Sequence, residues 1–177
     1  MRLILRSAWK ILVSMFGVFF ITFTVFPGAF FASKFYFLDP IAGAKGESEE
    51  VTWYQIMVIL LFNIFDTVGR FLGGKLNISH KMTINLGLLR LVFVPLTILI
   101  GLKNPVQLDQ DWLKLINLIL FALSNGLVST LCAIKAPQFV REDLREKVGI
   151  FISLFLGCGL LTGSLSAMLV GLIQFPA

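Results

Sequence analysis

Long apolar runs alternate with short polar ones along this chain of 177 residues. Five of the apolar runs reach the roughly 20 residues that a helix needs to cross a bilayer core. They extend from about Ile11 to Phe31, Thr52 to Gly74, Thr83 to Leu102, Trp112 to Ile134 and Val148 to Ile173. Hydrocarbon offers the backbone no hydrogen-bond partner, and a helix satisfies its own N–H and C=O groups, so each run is predicted as a membrane-spanning helix. The polar stretches between them are Asp39 to Glu50, Lys75 to Met82, Lys103 to Asp111 and Lys135 to Lys147. The first holds Pro40, Gly43, Gly46 and four acids. None is long enough to form a soluble domain. The expected fold is an all-α multi-pass membrane protein, with residues 1–177 forming a single transmembrane bundle.

Composition agrees with this pattern. Hydrophobic residues make up 57% of the chain and charged residues 14%, and mean hydropathy is +0.90. A soluble domain is usually about half apolar and about one quarter charged. A disordered chain is excluded by its hydrophobicity. A disulfide scaffold is excluded because Cys132 and Cys158 both lie in apolar runs. One histidine, His80, and no paired cysteine spacing argue against a zinc site.

The net charge of +5 would suggest nucleic acid in a soluble protein. In a membrane protein it reports basic loops instead, and no nucleic-acid partner is expected. The stretch from Met1 to Lys10 is basic, but the apolar run after it is longer than the roughly 7–15 residues of a signal-peptide core, so no cleaved signal is expected. Lys and Arg distribute unevenly. Arg2, Arg6, Lys10, Lys75, Lys81, Lys135, Arg141, Arg145 and Lys147 fall on one side, against Lys34, Lys45, Lys103 and Lys114 on the other. The positive-inside rule then puts Met1 in the cytoplasm and, after five crossings, Ala177 outside. Trp9, Trp53 and Trp112 fall near helix ends, where interfacial anchors belong.

The second span carries the most informative residues, LLFNIFDTVGRFLGG. Asp66 and Arg70 lie well inside it, and a charge there costs at least about 2.5–3.5 kcal/mol unless it meets a partner or a cavity. At about 100° per residue, Asn63, Asp66, Thr67 and Arg70 share about one third of the helix circumference, with Ile64, Phe65, Val68 and Leu72 opposite. Asp66 and Arg70 are four apart, close enough to pair. One reading is a buried ion pair that orients packing. The other is a polar ligand site, in which a carboxylate accepts from hydroxyls and a guanidinium fork donates to oxygens or ring nitrogens, as a sugar-like substrate requires.

Other features read as packing. Gly69 and Gly73 form a small-xxx-small step, as do Gly159, Gly163, Ala167 and Gly171, and again Gly149, Ser153 and Gly157. Arg90 lies about two turns in from a basic loop, so snorkelling to the headgroups is expected. Pro27 and Pro95 mark places where membrane helices tolerate kinks. Asn117 and the Ser124-Asn125-Gly126 patch are expected to hydrogen-bond between helices. Asp66 is the only acid inside a crossing, which argues against an aspartate-dyad protease, and there is no P-loop and no GxSxG. No enzyme, metal or cofactor is expected.

The stretch FNIFDTVGR resembles the eighth-helix signature of the equilibrative nucleoside transporter family (solute carrier family 29). LLRLVFVPL, FALSNGLVSTLC with IKAPQFV, and GIFISLFLGCGLLTG resemble successive stretches of that family's second half, in order. The resemblance runs from about Trp9 to Ile173. It implies a major-facilitator-like architecture of eleven helices, six plus five, of which this chain corresponds to helices seven to eleven. It further implies facilitated diffusion of nucleosides, or nucleobases in some members, by alternating access. Asp66 and Arg70 match the family residues that hold the nucleoside around its ribose, and Asn63 matches a neighbouring position. The plasma membrane is the expected location. The six preceding helices are absent, so the chain is expected to be incomplete as a carrier, with Met1 an internal methionine. A truncated coding sequence or a degenerate copy is favoured over a half that assembles with a separate six-helix chain, or a homo-oligomer. The competing function is a non-transporting membrane interaction protein. Retention of the polar face at Asn63, Asp66 and Arg70 favours carrier ancestry.

Overall fold

The computed structural model describes residues 2–32, 46–101 and 110–174, with side chains for 4–31, 53–100 and 110–169. Among these residues every regular element is helical. Helix α1 spans Arg2–Val25 and α2 Gly28–Ala32. Helix α3 spans Gly46–Lys75, α4 His80–Leu89 and α5 Phe93–Gly101. Helix α6 spans Asp111–Lys135 and α7 Arg145–Gln174. They make five stretches long and apolar enough to cross a membrane: Ile4–Phe31, Trp53–Lys75, His80–Ile100, Asp111–Phe139 and Glu142–Leu169. The chain is therefore an all-α, multi-pass membrane protein. Most of the Asp39 and Lys103 loops and the C-terminal Ala177 lie outside the described residues.

Two crossings are interrupted where proline predicts it. The first breaks at Phe26-Pro27, between α1 and α2. In the third, a 3₁₀ turn at Arg90–Val92 joins α4 to α5. It lies just before Pro95, whose ring removes the N–H that would bond the carbonyl of Leu91. At the start of α4, Ser79 Oγ accepts from the Met82 N–H and caps the helix. Helix α1 starts earlier than the apolar run, at Arg2, because Arg6 and Lys10 are good helix formers that continue it into the polar zone. Lys114, counted above among the outer-side charges, is buried in the first turns of α6, 3.7 Å from Asp111.

Two tight seams organise the bundle. Helix α3 lies along α6, and a Cβ on Gly126 would collide with the backbone carbonyl of Asp66. Gly69 and Gly73 approach the Leu123 and Leu127 carbonyls from the other side. Helix α1 lies along α7 in the same manner, with Gly159 and Gly163 against the Phe16 and Phe20 carbonyls. Small residues let the backbones approach, and dispersion contacts follow. Gly149 and Gly157, expected to form a second ridge with Ser153, meet nothing among the described residues. The core is aromatic at one end, where Phe26, Phe30, Phe62, Phe93 and Phe121 touch. Trp9, Trp53 and Trp112 are exposed, as are most leucines and isoleucines of α3 and α7. Such a surface suits lipid or a second bundle rather than water.

Candidate functional site

The closeness of α3 and α6 brings two short side chains together at mid-span. Asn125 Nδ2 donates to Asp66 Oδ1 at 2.7 Å. Arg70 Nε donates to Asp66 Oδ2 at 2.7 Å, so the pair expected four residues apart is formed. Both oxygens of the carboxylate are thus engaged, and Asp66 is buried. Charge-assisted bonds of this kind are short and strong, the more so away from water.

The network continues to a residue for which snorkelling was expected. Arg90 is 1% exposed and does not reach the headgroups. Its 3₁₀ turn directs it between α1 and α6. Nη1 donates to the Phe121 carbonyl at 3.1 Å and to Ser124 Oγ at 2.5 Å. Nη2 donates to Thr22 Oγ1 at 2.7 Å and Asn125 Oδ1 at 3.3 Å. The guanidinium also lies 4.9 Å from the centroid of the Phe121 ring, within cation–π range. Asn125 therefore relays between Arg90 and Asp66: its carbonyl accepts from the cation and its amide donates to the acid. Thr22 adds a bond from its hydroxyl to Asn125 Oδ1, 2.7 Å long. One acid and two cations from α3 and the third crossing are tied together through α6 and α1. Length in the span made snorkelling the simpler reading of Arg90. The signal for burial was distributed: Thr22, Asp66, Arg90 and Asn125 each place a polar group near the middle of a different crossing.

The polar face of α3 divides. Asp66 sits at the edge of the arc and turns inward. Asn63, Thr67 and Arg70 are exposed. Asn63 Nδ2 donates to the Ile59 carbonyl and Thr67 Oγ1 to the Asn63 carbonyl, each at 2.8 Å. Asn63 thus shares the face but takes no part in the buried network. Arg70 has its side chain 49% exposed. Only its Nε is used among the described residues, so two Nη groups remain for an outside acceptor. A second, smaller tie joins α6 to α5, with Asn117 Nδ2 donating to Thr97 Oγ1 at 2.9 Å, which is the interhelical role expected of Asn117. Among the described residues no three His, Cys, Asp or Glu side chains gather to hold a metal.

Comparison with known proteins gives these residues a setting. Residues 1–172 match a family model described as nucleoside transporter. The chain is 32% identical to human equilibrative nucleoside transporter 1 over 182 aligned positions, covering 95% of this chain and 37% of that protein. It is 29% identical to human equilibrative nucleoside transporter 2, covering 91% of this chain and 35% of the relative. It is 33% identical to equilibrative nucleotide transporter 8 of Arabidopsis thaliana, over 64% of this chain and 29% of that protein. The chain thus spans about a third of the length of the curated relatives it matches. These relatives are carriers by name, and the chain is not an enzyme. With five apolar crossings and a family match over nearly its whole length, the chain belongs to the nucleoside transporter family.

Proposed function

We propose that this chain is the C-terminal, substrate-holding bundle of an equilibrative nucleoside carrier. The observation that carries the reading is Arg70. It is held by Asp66 through Nε and presents its remaining donors on the open face that also bears Asn63 and Thr67. A nucleoside offers matching groups: ribose hydroxyls and ring oxygens or nitrogens. Asp66 orients Arg70, and its spare lone pairs accept from a hydroxyl at the margin of the face. Asn125, Arg90 and Thr22 hold Asp66 in place, so the donor geometry is set before substrate arrives.

A single bundle has one wall of such a site. Alternating access requires a second bundle rocking against the first around the substrate. The partner is a six-helix N-terminal half, in the same chain or a separate one. The names of the two human relatives support a nucleoside as cargo. The Lys/Arg asymmetry supports a cytoplasmic Met1 and an external Ala177, and the membrane proposed for this carrier is the plasma membrane.

The test uses a completed carrier, this bundle with its N-terminal half. Arg70→Gln removes the donors of the open face and keeps Asp66 as the acid nearest buried Arg90. Surface expression is expected to stay near that of the unaltered carrier, because the Arg70 side chain is half exposed. Nucleoside uptake is expected to be lost, or its apparent affinity to fall at least tenfold, about 1.4 kcal/mol. Unchanged uptake at unchanged expression would reduce the pair to a packing device and overturn the binding role.

A further inference from the structure

Away from the polar face, a cavity of about 700 Å³ opens between the start of α1 and the start of α4. Arg6, Lys10 and Lys81 line it, with Ser7, Ser79 and His80. None of the three cations has an acidic partner among the described residues. Lys10 instead lies 5.8 Å from the Trp9 ring centroid. His80 packs on the Phe139 ring at 4.5 Å, and its buried Nδ1 has no hydrogen-bond partner. The N-terminus of α4, capped by Ser79, adds its positive end. Among the described residues no acid lines the cavity.

A second, apolar cavity of about 470 Å³ shares Trp9, Lys10 and Ile84 with the first. It continues along the two crossings past Val13, Phe16, Leu88 and Leu91. Gly17 leaves open space beside it. A cationic chamber at one end of the bundle therefore runs into an apolar groove directed along the spans. Trp9 stands at their junction, half exposed as an interfacial tryptophan is.

We propose that this is a site for one anionic phospholipid, its phosphate among Arg6, Lys10 and Lys81 and an acyl chain in the groove beside Phe16 and Leu88. Charge complementarity selects the headgroup, and basic pockets between membrane helices bind anionic lipids in this way. The groove selects a lipid over a free phosphate, because a soluble anion leaves the apolar walls uncovered. The site lies on α1 and α4 and is independent of the α3 face assigned to substrate.

The test reconstitutes the chain with Trp53→Phe and Trp112→Phe, leaving Trp9 as its sole tryptophan. Vesicles are of phosphatidylcholine with either brominated phosphatidylserine or brominated phosphatidylcholine as the minor lipid. Quenching of Trp9 is expected to show a preference for the serine lipid of about threefold or more. The preference is expected to fall towards one in the Arg6→Gln, Lys10→Gln, Lys81→Gln variant, with quenching by brominated phosphatidylcholine unchanged. Should that variant fail to fold, high salt on the unaltered lining provides the same reading, since screening weakens the headgroup contact and spares the acyl contact. Equal quenching by the two lipids overturns the proposal, as does a preference that survives both neutralisation and salt. Loss of the preference on adding inorganic phosphate at constant ionic strength also overturns it, because the ligand would then be a free anion.

Discussion

The α3–α6 and α1–α7 seams use the same packing device for different ends. In both, glycines bring a helix against the backbone carbonyls of its neighbour. The α1–α7 seam is lined by phenylalanines, and its interhelical bond is between Thr24 Oγ1 and Ser166 Oγ at 2.6 Å. The α3–α6 seam has Asn125 next to Gly126, and close approach brings that short amide to Asp66. Proximity alone thus gives cohesion. Proximity with a polar residue beside the glycine gives a buried charge network. Among the described residues, only the second seam connects through its buried polar network to an exposed cation, Arg70, and so to a surface where chemistry is possible.

That contrast can be broken most sharply at Asp66. Asp66→Leu leaves Arg90 buried without a nearby acid and Arg70 without its anchor. Removing one partner of a buried charge pair costs about 3–5 kcal/mol. A large fall in the thermal midpoint of the purified chain in detergent is expected. A shift as small as that of a surface substitution would mean that the network does not carry the seam.

Coupling between sites sharpens the comparison next. Gly126→Val and Gly163→Val each force a side chain against a neighbouring backbone carbonyl, an overpacking cost of about 1–3 kcal/mol. They should differ when combined with Asp66→Leu. Gly126→Val separates Asn125 from Asp66, so the second change adds less than its own cost, with a coupling of about 0.5–3 kcal/mol. Gly163→Val lies on the other seam, and its cost should add to within about 0.5 kcal/mol. Equal coupling at both glycines would erase the distinction between the seams.

The smallest effect belongs to the hydroxyl pair of the apolar seam. Thr24→Val removes one interhelical bond, worth about 0.6 kcal/mol on average inside membranes. Arg70→Gln should be similarly mild for stability, below about 1 kcal/mol, because the side chain is half exposed and its ion pair is partly solvated. Midpoint shifts of a few degrees or less are expected for both. A collapse of the Arg70→Gln protein would place that residue in the structural core of the network and not at its surface.

Much of the candidate site was legible along the chain. Asp66 and Arg70 stand in an apolar run, four apart, and local helical geometry is enough to pair them. The prolines marked both helix breaks, and the Gly159–Gly163 ridge marked a contact. Arg90 was not legible in the same way. Snorkelling and burial differ only in what stands beside the side chain, and its partners Thr22, Ser124 and Asn125 come from other crossings, 68, 34 and 35 residues away. The ridge at Gly149 and Gly157 meets no neighbour among the described residues, since small residues permit a close neighbour but do not supply one.

What the sequence determined by itself is what local physics decides: membrane-spanning helices from apolar length, kinks from proline, a pair from spacing. What only the tertiary structure decided is which polar groups are enclosed together. Asp66 turns inward to Asn125 while Asn63, about one turn before it, and Thr67, the next residue, stay open. The reason is that hydrocarbon leaves a buried polar group no water to bond, so its position depends on the nearest partner on another helix, and that partner is chosen by packing.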